Sequence, residues 1–312
     1  MSGVIAPGAE ATKVFGDGFY TEGPAQGPDG RIYFCDITPT FHTEMAAGNI
    51  WAFDPESGRS EIVRSPSGMA SGIQFDAQGR MVVAGGADFG CRAVVRTDQS
   101  TGRSHILAGL YRGRPFNSPN DLVIDRQGRI YFTDPRYFGH EPVEQPVFGV
   151  YRIDPDGAIS LILADVSKPN GIALSPDQRT LYVVEHDILI LDRRYESVPT
   201  RDIGDMRILA YELENGEARN QRILVDYRDE KGADGIAVDM EGNIYAAVQS
   251  RVRPGVRVYA ASGAQIDEIR LPEVPANLAL VAWNGRPHLY VTATTGLYRA
   301  PTLVPPSQLF GG

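Results

Sequence analysis

The chain has no apolar run approaching the roughly 20 residues that a membrane-spanning helix requires, so nothing in its 312 residues reads as a transmembrane helix. The stretch from Met1 to Thr12 has neither a basic segment nor an apolar core and is not expected to act as a signal peptide. Positive charge is in short supply, with 30 Lys and Arg against 39 Asp and Glu and a net charge of −9. An acidic surface repels phosphate backbones and anionic headgroups, which excludes nucleic acid and anionic membrane as expected partners. Lysine is nearly absent, occurring only at positions 13, 168 and 231. That scarcity reads as genomic base composition rather than function.

Cysteine is equally scarce. Cys35 and Cys91 lie in or beside separate predicted strands, and neither has a second ligand at metal spacing. They are expected to be buried free thiols rather than a disulfide or a zinc site, which points to a reducing, cytoplasmic location. The 5 histidines show no ligand spacing either. No Gly-x-Ser-x-Gly elbow is present, which argues against a Ser-His-Asp hydrolase.

What the chain does contain is one phrase written six times: a short apolar run, a turn and a second apolar run, the signature of a β-hairpin. The residue opening each phrase is Glu22, Ser71, Asn120, Asn170, Asp234 or Asn277. Successive spacings are 49, 49, 50, 64 and 43 residues. A period in this range with four strands per unit predicts a β-propeller. In the second unit the strands are expected at 72–76, 80–85, 92–97 and 104–108. The sixth unit stops one strand short, and Thr12–Phe15 ahead of the first unit is expected to supply it. The fold class is therefore all-β, a six-bladed propeller of four-stranded antiparallel blades closed by an N-terminal strand, with residues 1–312 forming a single domain.

Radial repetition brings the opening residues to one mouth of a central channel. The long, irregular connections at 37–48, 135–146 and 186–206 fall at that same mouth, whereas the opposite turns are short Asp-Gly and Gln-Gly pairs. Variable loops gathered on one face mark it as the functional one. Glu22 and Asp234 supply two carboxylates, and Asn120 and Asn170 two amide oxygens. Such an all-oxygen set suits one divalent ion, Ca²⁺ first, with Mg²⁺, Mn²⁺ or Zn²⁺ as alternatives, although it matches a structural Zn²⁺ site poorly. Four protein ligands leave positions open for water and substrate. Taken singly, each of these residues reads as an ordinary turn former, as in Asn-Gly or Asp-Gly. Their common register in one repeat is what argues for a joint role. Ser71 is too short to count, and Asn277 is divided between a turn and an orienting role.

The phrases Thr21-Glu22-Gly23-Pro24, Asn117-Ser118-Pro119-Asn120-Asp121, Tyr131-Phe132-Thr133-Asp134-Pro135, Pro169-Asn170-Gly171-Ile172-Ala173 and Gly232-Ala233-Asp234-Gly235-Ile236 carry a resemblance over nearly the whole chain. Together they resemble the gluconolactonase and senescence-marker-protein (regucalcin-like) lactonases, propellers related to diisopropyl fluorophosphatase. The resemblance implies that Glu22, Asn170 and Asp234 hold the metal and that Asn120 is a fourth ligand or a substrate contact. It implies that Asp234 is the general base, or the nucleophile in the phosphatase-like branch. Where the animal lactonases have an Arg-x-Asn-Asp phrase, this chain has Ser118-Pro119-Asn120-Asp121, so an arginine that would grip sugar hydroxyls is missing.

Loop residues Phe41, His42, Arg136, Tyr137, Phe138, His140, Glu185 and His186 are candidates to surround a small-molecule substrate. Of these, Tyr137, His140 and His186, with Asn120 and Asn277, form the expected substrate-binding set, and a histidine near a polarised carbonyl can shuttle a proton. The leading expectation is a metal-dependent hydrolase that opens a sugar lactone such as an aldonolactone. The alternatives are a phosphotriester or other ester hydrolase using the same centre, and a non-catalytic binding propeller with a structural metal.

Overall fold

The computed structural model describes residues 3–188, 203–228 and 230–307. Six four-stranded antiparallel sheets succeed one another along the described chain. Blade 1 holds Tyr20–Gln26, Ile32–Ile37, Asn49–Phe53 and Ser60–Arg64, and blade 2 holds Ala70–Phe75, Met81–Gly85, Ala93–Thr97 and Ser104–Ala108. Blade 3 holds Leu122–Ile124, Ile130–Asp134, Gly149–Ile153 and Ile159–Leu163. Blade 4 holds Pro169–Leu174, Thr180–Ile188, Ile203–Glu214 and Glu217–Asp226, and blade 5 holds Ala233–Val238, Ile244–Val248, Gly255–Tyr259 and Gln265–Arg270. Blade 6 holds Pro275–Trp283, Arg286–Ala293 and Gly296–Pro301.

Thr12–Phe15 adds the fourth strand of blade 6 by pairing Thr12 with Arg299, Lys13 with Tyr298 and Phe15 with Leu297. The ring is closed by chain ends from opposite sides of the sequence. An isolated bridge between Ile5 and Thr302 reinforces the join.

Burial falls off from the axis outward. Ile32–Ile37 and Met81–Gly85, second strands of their blades, are buried at every residue, whereas Ser60–Arg64 has no buried residue. A strand covered on both faces by neighbouring blades reads as a continuous apolar run, and an outermost strand does not. The hydrophobic core accordingly consists of layers between blades. Tyr33, Cys35 and Ala52 of blade 1 pack on Ile73, Met81 and Val83 of blade 2. Phe34 and Phe53 of blade 1 pack on Phe15, Tyr290 and Leu297 of blade 6 across the closure.

In blades 2, 3 and 5 the short turn after the innermost strand owes its shape to one carboxylate. Asp125 Oδ1 accepts from the Gln127 and Arg129 backbone N–H groups, while its Oδ2 accepts from Arg129 Nε and the Tyr131 hydroxyl. Asp76 clamps Gln78 and Arg80 in the same way, and Asp239 clamps Glu241 and Asn243. Asp125 is only 2% exposed. Asp125→Ala is expected to destabilise the protein by about 3 kcal/mol, because it leaves the Arg129 guanidinium and two N–H groups without their acceptor. A denaturant titration that moves by less than a third of that amount would show the clamp to be dispensable.

Three expectations need correction. In blade 2 the first three strands lie within two residues of the expected spans, and Ser104–Ala108 matches its span. In blade 4 the expected connection at 186–206 is shorter, because the strands run on to Ile188 and resume at Ile203. Its residues 189–202 lie outside the described part of the chain. The long spacing of this unit therefore comes partly from strands of 12 and 10 residues. Finally, both cysteines are free, but only Cys35 is buried; Cys91 lies at the surface. Its strand begins at Ala93, so position 91 falls in the connection rather than in the interblade layer.

Candidate active site at the ring axis

The opening residues sit in or immediately before the innermost strands, not in turns. In blades 1, 2, 4, 5 and 6 the ladder between the innermost strand and its neighbour slips at this point: between Glu22 and Ala25, Ala70 and Ile73, Pro169 and Ile172, Ala233 and Ile236, and Pro275 and Asn277. In blade 3 the regular ladder starts only at Leu122, after Asn120 and Asp121. A bulge of this kind re-aims a side chain out of the sheet's alternation.

The glycines that follow have a matching reason. A Cβ on Gly23 would lie 1.9 Å from the carbonyl oxygen of Ser71, and one on Gly235 would lie 2.0 Å from Asn277 Oδ1. In blades 1, 2, 4 and 5 the first strand approaches the next too closely for a side chain at this position, whereas blades 3 and 6 carry Asp121 and Leu278 there. The Gly is thus set by interblade contact, and the turn-dipeptide reading of these pairs does not hold.

Glu22, Ser71, Asn120, Asn170 and Asp234 line one cavity of about 280 Å³ at the mouth of the channel, just under the usual size of a small-molecule site. Tyr20, Tyr137, His186, Lys231 and Gln249 line it as well. Asn277 does not; it borders a smaller axial cavity of about 120 Å³ that also touches Asp121. There Asn277 Nδ2 donates to Asp121 Oδ2 at 3.4 Å. His140 lies outside the lining of the larger cavity. Its Nε2 meets Thr40 Oγ1 at 2.8 Å and Asp88 at 3.4 Å, and its ring packs on Phe89. Arg136 is wholly buried and supports the backbone, donating to the carbonyls of Glu141 and Asn117.

Among the described residues no three or more His, Cys, Asp or Glu side chains form a metal-holding group. A cation at the axis therefore depends on the amide oxygens of Asn120 and Asn170 as well as on Glu22 and Asp234. The donor chemistry fits a hard ion. Glu22 and Asp234 are each 5% exposed. Burial, then the charges of Asp234 and Asp121, pushes Glu22 well above the usual carboxylate range. Burial raises Asp234 too; the Lys231 charge opposes this and the Asp121 charge adds to it. Carboxylates that burial and mutual repulsion drive toward protonation are the groups a divalent ion stabilises. Asn170 commits its amide nitrogen to the Tyr137 hydroxyl at 3.1 Å, which leaves its oxygen as the uncommitted atom among the described residues. Ser71 Oγ is buried with no hydrogen-bond partner among them.

His186 has a defined state. Nδ1 lies 2.6 Å from the Ala233 carbonyl oxygen, an acceptor only, so Nδ1 carries the proton and Nε2 is the bare acceptor. Burial first, then the Lys231 charge, pushes the ring down to about 3, so it is neutral near pH 7. Nε2 is buried and has no partner among the described residues. In this state His186 accepts a hydrogen bond but has no Nε2 proton to give, which narrows the proton-shuttle role expected from the sequence.

Sequence reading overlooked Tyr20, Lys231 and Gln249. Gln249 Nε2 donates to Asp234 Oδ2. Lys231 was visible as one of the few lysines, and a partly buried lysine beside a carboxylate is a signal that composition alone had explained away. Tyr20 has no sequence signal, because its place beside Gln249 depends on the closed ring, and Gln249 follows from the pairing of Ala233 with Val248 within blade 5.

The family model for the SMP-30/gluconolactonase/LRE-like region matches residues 20–295. The chain is similar to a gluconolactonase of Zymomonas mobilis, 31% identical over 270 residues that span 78% of this chain and 67% of that protein. It is similar to a lactonase of Staphylococcus epidermidis, 25% identical over 264 residues spanning 83% of this chain and 72% of that one. Among solved structures, a gluconolactonase from Xanthomonas campestris superposes with a TM-score of 0.79 at 26% identity, covering 96% of this chain and 91% of the other. The calcium-binding protein regucalcin from Agrobacterium tumefaciens superposes with a TM-score of 0.69 at 19% identity, covering 94% and 95%, a likeness of fold.

Proposed function

The chain belongs to the SMP-30/gluconolactonase/LRE-like family, and on that footing we propose that it is a metal-dependent lactonase whose site is the cavity at the ring axis. The observation that carries this reading is the convergence of two buried carboxylates and two amides on one small-molecule cavity. Glu22, Asn120, Asn170 and Asp234 would hold one divalent cation, Ca²⁺ first, which when bound supplies polarisation of the lactone carbonyl.

Asp234 acts as the general base. It takes a proton from a water molecule whose oxygen bonds to the carbonyl carbon. The acyl C–O bond of the ring then breaks, and the Asp234 carboxyl returns the proton to the departing ring oxygen. Gln249 holds one carboxylate oxygen of Asp234. Asn120, whose side chain has no hydrogen-bond partner among the described residues, orients the substrate. Tyr137 donates to the His186 carbonyl at 3.2 Å and accepts from Asn170, so it fixes the amide that the cation needs. His186 accepts a donor from substrate or water. Asn277 acts from below, through Asp121 and Glu22.

The test is hydrolysis of a lactone panel followed by a pH indicator, on protein stripped with chelator and then given Ca²⁺, Mg²⁺, Mn²⁺ or Zn²⁺ singly. Stripped protein is expected to lose turnover and Ca²⁺ to restore it. Undiminished turnover after stripping would remove the metal from the reading. No turnover of any lactone by folded, metal-supplied protein would remove the lactonase.

A further inference from the structure

The two halves of the cavity differ in chemistry. The half built by blades 4 and 5 presents His186, Lys231, Gln249 and Asp234. The half built by the connections of blades 1 to 3 presents Ile37, Pro39, Phe41, Met69, Ala87 and Phe138. Apart from His42, the polar side chains on that half either belong to the floor or are engaged. Tyr20 accepts from Gln249, Ser118 Oγ accepts from the Ala87 N–H, and the His42 ring stacks on Phe41 with centroids 5.5 Å apart. Phe41 is 60% exposed and meets Phe138 edge-on at 6.1 Å, so an aromatic pair stands open at the lip.

An aldonolactone carries a hydroxyl on nearly every carbon. Burying it here would place several hydroxyls against a wall that offers them few partners among the described residues, and an unpaired buried hydroxyl costs binding. An alkyl or aryl substituent meets the same wall with no such cost and removes apolar surface from water. We propose that the acyl substrate is an apolar, alkyl- or aryl-substituted lactone, seated with its ester over the ring of opening residues and its substituent against the Phe41–Phe138 pair. This inference rests on the lactonase reading and specifies its substrate class. On the polar half His186 Nε2 has no partner among the described residues and takes at most one donor from the ligand.

The experiment compares kcat/KM for δ-decalactone and glucono-δ-lactone on Ca²⁺-supplied protein, together with the variants Phe41→Ala and Phe138→Ala. The apolar lactone is expected to be preferred by at least about tenfold, and each variant to narrow that ratio, mainly through KM for δ-decalactone. Equal or faster opening of the sugar lactone overturns the inference and leaves the lactonase reading standing. A preference that neither variant narrows also overturns it, since the wall would not be its source. If neither lactone is opened by folded, metal-supplied protein, the lactonase reading fails and the inference falls with it.

Discussion

Asp234→Asn is expected to lower lactone turnover by about 10³-fold, the scale on which a positioned general base contributes, while the protein remains folded. The geometry separates the two effects. Asp234 sits at a bulge on the innermost strand of blade 5, and asparagine has the same shape. Its carboxylate is unfavourably placed for folding, because burial raises its pKa and the Asp121 charge raises it further. A carboxyl whose pKa is raised in the folded state makes the protein less stable as pH rises above its unfolded value, where the unfolded chain loses its proton first. Removing the charge should therefore leave metal-free protein at least as stable as the parent at neutral pH. The same substitution removes one of two anionic ligands, so the stabilisation that Ca²⁺ gives the parent should shrink. Thermal melts with and without Ca²⁺, alongside turnover, read all three effects. Activity within tenfold of the parent would deny Asp234 the role of base.

Removal of residues 1–16 is the second large effect. The segment includes the strand that closes blade 6 and three buried apolar side chains, Val4, Ile5 and Phe15. Phe15 packs against Phe34 at 5.0 Å and Trp51 at 4.9 Å, so it seals the layer between the last blade and the first. Phe15→Ala alone should cost about 4 kcal/mol. The deletion also exposes the hydrogen-bonding edge of Gly296–Pro301, which then offers itself to other chains. The truncated protein is expected to melt on the order of 10 °C lower or more and to aggregate on heating. A melt that coincides with the parent's would show that the ring is held without its N-terminal strand.

Much of this was legible because the information is repeated. Six copies of one hairpin phrase, each with its own turn carboxylate or amide, specify blade number and strand order, and the missing strand of the sixth unit points to the N-terminus. The same repetition marked Glu22, Asn120, Asn170 and Asp234 as a set. It also misled, because Asn-Gly and Asp-Gly read locally as turns, whereas the structure places them at bulges on inner strands. Asn277 shares the register but faces the lower cavity, beside Asp121. His140 lies on the right loop, yet Thr40 and Asp88 hold it at the rim. A loop's sequence states which residues are near the mouth, not which way they point.

The sequence by itself determined the elements, because strand period, turn chemistry and repeat spacing act over a few residues and are written locally. Only the tertiary structure decided which side chains share the axis. Tyr20 joins Gln249 and Asp234 across a chain separation that no local rule spans. The protonation state of His186, the rise in the two carboxylates and the apolar wall at Phe41 and Phe138 follow from burial among neighbouring blades. Burial exists only once the ring has closed.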